Sequence, residues 1–66
     1  MNDNLTEREL KILRLTAQGF NNKEIGNKLF LSAHTVKVYV SSIIKKLNAK
    51  NRTNAVYIAV INNLVN

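Results

Sequence analysis

The stretch NNKEIGNKLFLSAHTVKVYVSSIIKKLN, residues 21–48, decides the fold. Asn21 followed by Glu24 is a helix-start signal, an acceptor side chain with a carboxylate three residues on. Ile25 and Leu29 then lie one turn apart on a common face, which predicts a short helix from about residue 22 to residue 29. Gly26 weakens that helix, and close approach to another helix is the expected compensation. Phe30-Leu31-Ser32 leaves only a short connection before a second helix capped by Ser32. Two helices joined by so short a turn cross steeply. That is the helix-turn-helix arrangement.

The second helix of the pair is predicted from Ala33 to Asn48. Val36, Val40, Ile43, Ile44 and Leu47 form one stripe, with Tyr39 at its edge. His34, Lys37, Val38, Ser41, Ser42 and Lys45 form the opposite stripe. About 16 residues give roughly 24 Å of helix, more than is needed to cross a major groove about 12 Å wide. Only the N-terminal half of such a helix would enter a groove.

Working outward, Thr6-Glu7-Arg8-Glu9 is a capping box. Leu10, Leu13 and Ala17 recur at helical spacing with Ile12 and Leu15, until Gly19 stops the helix. A first helix is predicted from about Glu7 to Gln18. At the other end Asn51 caps a fourth helix, and every residue from Ala55 to Ile61 is apolar. A helix apolar nearly all round needs two partners, its own core and something outside it. The expectation is a single all-α, four-helix domain over residues 1–66.

Composition narrows the function. Sixty-six residues, 45% hydrophobic, leave room for one small core and little for a catalytic cleft. Cysteine and proline are absent, so no disulfide framework or thiolate metal site exists. With one histidine and acids only at Asp3, Glu7, Glu9 and Glu24, neither an acid–base pair nor a metal-ligand cluster is visible. Glu9 and Glu24 read as caps. The chain is expected to be no enzyme and to need no cofactor or metal. No apolar run approaches the roughly 18 residues of a membrane span, and the N-terminus carries no signal segment, which places the chain in the cytoplasm.

The net charge of +6 is one-sided. Arg8, Lys11 and Arg14 balance Asp3, Glu7 and Glu9. The excess comes from Lys23, Lys28, Lys37, Lys45, Lys46, Lys50 and Arg52, opposed by Glu24 alone. Such a field suits DNA, RNA or an anionic membrane, or simply keeps the protein soluble. The polar stripe of the long helix favours duplex DNA. Lys37 can donate to guanine O6 or N7, Val38 can meet a thymine methyl, and Ser41 can donate to or accept from several bases. Lys23 lies in the first turn of the short helix, whose free backbone N–H groups form a natural anion site for phosphate. Thr35, Lys45, Lys46, Lys50 and Arg52 are further phosphate candidates, which would position without reading sequence. His34 is either a phosphate contact tunable near neutral pH or a plain exposed residue. Phe20, Phe30 and Tyr39 are expected in the core or at its edge, since they form no evenly spaced aromatic row.

Leu5-Thr6-Glu7-Arg8-Glu9, Gly19, Asn22-Lys23-Glu24-Ile25, Ser32, Thr35-Val36-Lys37, Lys46-Leu47 and Asn51-Arg52-Thr53 together resemble the LuxR-type (GerE-type) DNA-binding domain over about residues 5–62. The resemblance implies a transcription-factor domain with the third helix in the major groove and the last helix mediating dimerisation on inverted half-sites. It puts base reading on Lys37, Val38 and Ser41, and backbone contacts on Lys23, Thr35, Lys45 or Lys46, and Arg52. It further implies the output module of a response regulator or ligand-sensing regulator, with double-stranded DNA, a second copy and RNA polymerase as partners. Val56, Tyr57, Val60 and Leu64 are the expected dimerisation face, part of which could instead pack on the first helix. Asn21, Gly26, Tyr39, Ser41 and Ala49 depart from the common pattern, and Gly26 and Ala49 suggest a looser core. The competing readings are a sigma-factor-like promoter-binding module, a protein–protein adaptor built on the last helix, and a peripheral membrane protein. The last lacks the dense lysine row it would need.

Overall fold

Each helix starts where a side chain replaces a missing backbone acceptor and stops at a left-handed residue. In the computed structural model, which describes residues 4–65, α1 spans Glu7–Ala17, α2 Asn22–Leu29, α3 Ala33–Lys46 and α4 Arg52–Ile61. The described residues contain no strand. Both expected capping boxes form. Thr6 and Glu9 exchange side-chain and backbone hydrogen bonds of 2.8 and 3.1 Å, and Asn21 and Glu24 do so at 2.8 Å. Ser32 and Asn51 cap α3 and α4. Caps of this kind contribute about 1 kcal/mol each.

The helix ends repeat one device. Gly19 (φ 98°), Phe30 (φ 60°), Asn48 (φ 54°) and Asn63 (φ 56°) are all left-handed. Past α1, α3 and α4 the chain turns back so that Phe20 N–H reaches the Leu15 carbonyl, Ala49 N–H that of Ile44, and Leu64 N–H that of Ala59, at 2.8–3.1 Å. These are Schellman closures. They stop α3 at Lys46, short of the expected Asn48, because Asn48 is the left-handed residue that ends it.

The core is Ile12 and Leu13 of α1, Ile25 of α2, Val36 and Ile43 of α3, and Ala59 of α4. Leu5, Leu15, Phe20, Leu29, Tyr39, Val40 and Leu47 pack around it. The apolar stripe expected on α3 is therefore its inner face. Ala55 and Ala59 are the buried residues of α4, small enough to let that helix approach closely.

Four expectations require correction. Gly26 faces the turn, not another helix: a Cβ there would stand 2.3 Å from the Leu31 carbonyl oxygen. Leu31 N–H in turn donates to the Gly26 carbonyl at 2.9 Å, so the glycine tightens the helix-turn-helix corner instead of loosening the core. Phe30, expected at the core, is 94% exposed, because its left-handed backbone swings the side chain off the helix face. Ser42, expected on the outer stripe, is half-buried and donates to Glu9 Oε2 at 2.8 Å. Leu64 lies beyond α4 and packs against the core of its own chain, so it does not extend the outer face of that helix.

Candidate nucleic-acid interface

The outward side of α3 carries His34, Lys37, Val38, Ser41 and Lys45, all exposed. Val38 keeps 56% of its surface. Lys37, Val38 and Ser41 fall on neighbouring turns, so a cation, a branched apolar group and a hydroxyl stand side by side. Thr35 is half-buried. Its backbone N–H donates to Ser32 Oγ at 3.0 Å, and its own Oγ1 accepts from that hydroxyl at 2.9 Å. The Thr35 hydroxyl hydrogen is left to point elsewhere.

A buried carboxylate fixes this helix from behind. Glu9 is 3% exposed, on the same face of α1 as Ile12 and Leu13. Its Oε1 accepts from the Thr6 N–H at 2.8 Å and from Lys46 Nζ at 2.9 Å, and its Oε2 accepts from Ser42. Burial pushes the carboxyl pKa up. The Thr6 backbone N–H, the Lys46 and Ser42 hydrogen bonds and the Lys46 charge outweigh it and hold the pKa below the ordinary value. Glu9 thus ties the first turn of α1 to the C-terminal half of α3.

Lys46 is accordingly committed to Glu9, and also reaches the Asn4 carbonyl at 3.4 Å. Arg52 is likewise engaged inside the fold. Its guanidinium donates to Asn22 Oδ1 and to the Phe20 carbonyl, the latter at 3.1 Å, joining the start of α4 to the start of α2. Both residues stood among the phosphate candidates, and the geometry gives each a structural partner. Lys23, Lys45 and Lys50 are exposed. The ties of Glu9 to Ser42 and Lys46 and of Asn22 to Arg52 were missed from sequence. For Glu9 a signal existed, an acid placed in line with the buried stripe of its helix.

On α4, Tyr57 (60% exposed), Val60 and Ile61 form an exposed apolar surface, with Val56 half-buried. Ile61 was not expected there. Among the described residues no group of three or more His, Cys, Asp or Glu could hold a metal ion, and no helix is long and apolar enough to cross a membrane.

This sequence matches, over residues 3–59, the family described as bacterial regulatory proteins, luxR family. The chain belongs to the LuxR family of bacterial regulatory proteins. Among its relatives are the transcriptional regulatory protein LiaR of Bacillus subtilis, 48% identical over 97% of this chain, and the response regulator protein VraR of Staphylococcus aureus, 46% identical over 92%. The uncharacterized transcriptional regulatory protein YvfU of Bacillus subtilis is 58% identical over 83% of the chain. This LuxR-family chain spans 28–30% of the length of those relatives. The family is one of transcription regulators, not of enzymes.

Proposed function

We propose that this LuxR-family domain binds double-stranded DNA sequence-specifically, with the N-terminal half of α3 in the major groove, as the output part of a longer transcriptional regulator. The observation that carries the reading is the joint exposure of Lys37, Val38 and Ser41 on a helix whose other side is core. Lysine for guanine, a branched methyl for thymine and a hydroxyl for either donor or acceptor together suffice to discriminate base pairs. Lys23, His34, Thr35 and Lys45 supply the phosphate contacts. Lys46 and Arg52 hold the elements that present α3. A second copy docks through the exposed face of α4, and RNA polymerase is a further partner of the assembled regulator. The response-regulator relative, of which the chain covers 29%, supports placing the signal-sensing part outside these residues.

A titration against a selected site and against random duplex over a range of salt tests the reading. Affinity should fall steeply, with a log–log slope of about −0.9 per phosphate contacted. Lys37→Ala should weaken the selected site by roughly 1–3 kcal/mol and spare random duplex. Lys45→Ala should weaken both alike. Equal loss on both duplexes for Lys37→Ala would reduce that residue to a phosphate contact and remove the basis for base reading.

A further inference from the structure

The left-handed stops of α1, α3 and α4 are occupied by Gly19, Asn48 and Asn63, the residue types that tolerate this conformation. The stop of α2 is Phe30, which has neither glycine's freedom nor asparagine's local hydrogen bonding, and the residue is 94% exposed. Neither packing nor backbone preference accounts for a phenyl group there. Its surroundings are equally uneven. Phe30 borders an open groove with Arg8, Lys11 and Arg14 of α1 and Lys28 of α2, against the single carboxylate of Glu7. Because α1 turns Glu9, Ile12 and Leu13 inward, the Glu7, Lys11 and Arg14 face points away from the contact with α3. None of these residues belongs to the stripe of Lys37, Val38 and Ser41.

We infer that this groove is a docking surface for an acidic protein segment bearing an apolar side chain, whose carboxylates pair with Arg8, Lys11 and Arg14 while the apolar group covers Phe30. Four cations facing one carboxylate set the sign of the partner's charge. The exposed ring sets its class. A DNA backbone would satisfy the cations but offer nothing to a phenyl group, whereas arginine beside an aromatic residue is characteristic of protein–protein contact centres. The inference does not depend on how α3 reads DNA.

The test uses the whole chain and two fluorescently labelled probes, a short peptide alternating Asp and Glu with Leu and Phe, and a random duplex. The native chain should bind the peptide at low salt. Phe30→Asn, which suits the left-handed backbone and should melt no lower than the native chain, is expected to weaken peptide binding about tenfold. The pair Lys11→Glu and Arg14→Glu should abolish it. Duplex affinity should move by less than about threefold in Phe30→Asn, as expected for a residue outside the DNA contact, whereas the double reversal, which takes the net charge from +6 to +6 − 4 = +2, should weaken every duplex alike through the lost field. The inference is overturned if the native chain does not bind the peptide, or if Phe30→Asn binds it as tightly. A parallel loss of duplex affinity in Phe30→Asn, which leaves the charge unchanged, would assign the groove to nucleic acid instead. Failure of the DNA reading would show separately, in the native chain's own duplex titration.

Discussion

Glu9 joins the first turn of α1 to α3, and its chemistry shapes how the fold responds to acid. The folded state keeps its carboxyl ionised below the ordinary value of 4.5. A depressed pKa contributes stability that is present above the unfolded value and is lost as pH falls through the folded one, because the unfolded chain then binds the extra proton. Urea melts between neutral pH and about pH 3 should therefore show a decline that is flatter in Glu9→Gln than in the native chain. Glu9→Ala leaves Lys46 and Ser42 without their acceptor and should destabilise by about 2 kcal/mol at neutral pH. Loss of well under half that in a thermal melt would mean water replaces the carboxylate without penalty. At the same scale Phe30→Asn should raise stability by roughly 1 kcal/mol, through relief of a left-handed phenylalanine. Neither residue was fully legible in the sequence. Glu9 was readable as a cap because Thr6 lies three residues before it, but its partners Ser42 and Lys46 lie on another helix, and local spacing carries no such information. Phe30 was expected in the core or at its edge, because the spacing of the aromatic residues carries no trace of the backbone turn that redirects its side chain.

At the scale of elements the sequence was far more informative, because starts and stops are set locally. Thr6, Asn21, Ser32 and Asn51 announce the four starts, and the heptad-like stripe of α3 separates its inner from its outer face. What local signals could not supply was geometry between elements. Gly26 is the clearest case, since its need for space comes from the Leu31 carbonyl folding back over α2. Gly26→Ala adds about 1 kcal/mol of helix propensity but inserts a methyl group 2.3 Å from a backbone oxygen. A backbone atom cannot rotate aside, so overpacking should prevail, with a net loss of about 1–3 kcal/mol. Thermal melts would give the sign, and amide shifts at Leu31 and Ser32 would show whether the corner has opened. A variant that melts higher with unchanged amide shifts would mean that the turn has slack the contact distance denies.

For the whole molecule, size and exposed surface together argue for pairing on DNA. The fold measures 31 × 21 × 20 Å and has one helix, α3, that we propose for the major groove. Half-sites one helical turn apart are separated by about 34–36 Å, so a single copy cannot place α3 in two successive grooves. The fourth helix is the surface proposed for a second copy, for Tyr57, Val60 and Ile61 remain exposed while Ala55 and Ala59 are buried in the core. An apolar surface left over outside the core was legible in the unbroken apolar run from Ala55 to Ile61, whereas Leu64 of the expected set packs on the core of its own chain. A contact this small should be weak in solution and become effective only when both copies sit on one duplex, where the second binding event is intramolecular. Val60→Glu places a charge in the middle of that surface without touching α3. It should lower affinity for an inverted pair of half-sites by about tenfold or more while leaving a single half-site nearly unchanged. Gel shifts on the two duplexes, with sedimentation of the native chain alone and with DNA, provide the measurement. If the native chain binds the inverted pair no more tightly than the lone half-site, α4 is not the pairing surface and its exposed residues require another partner.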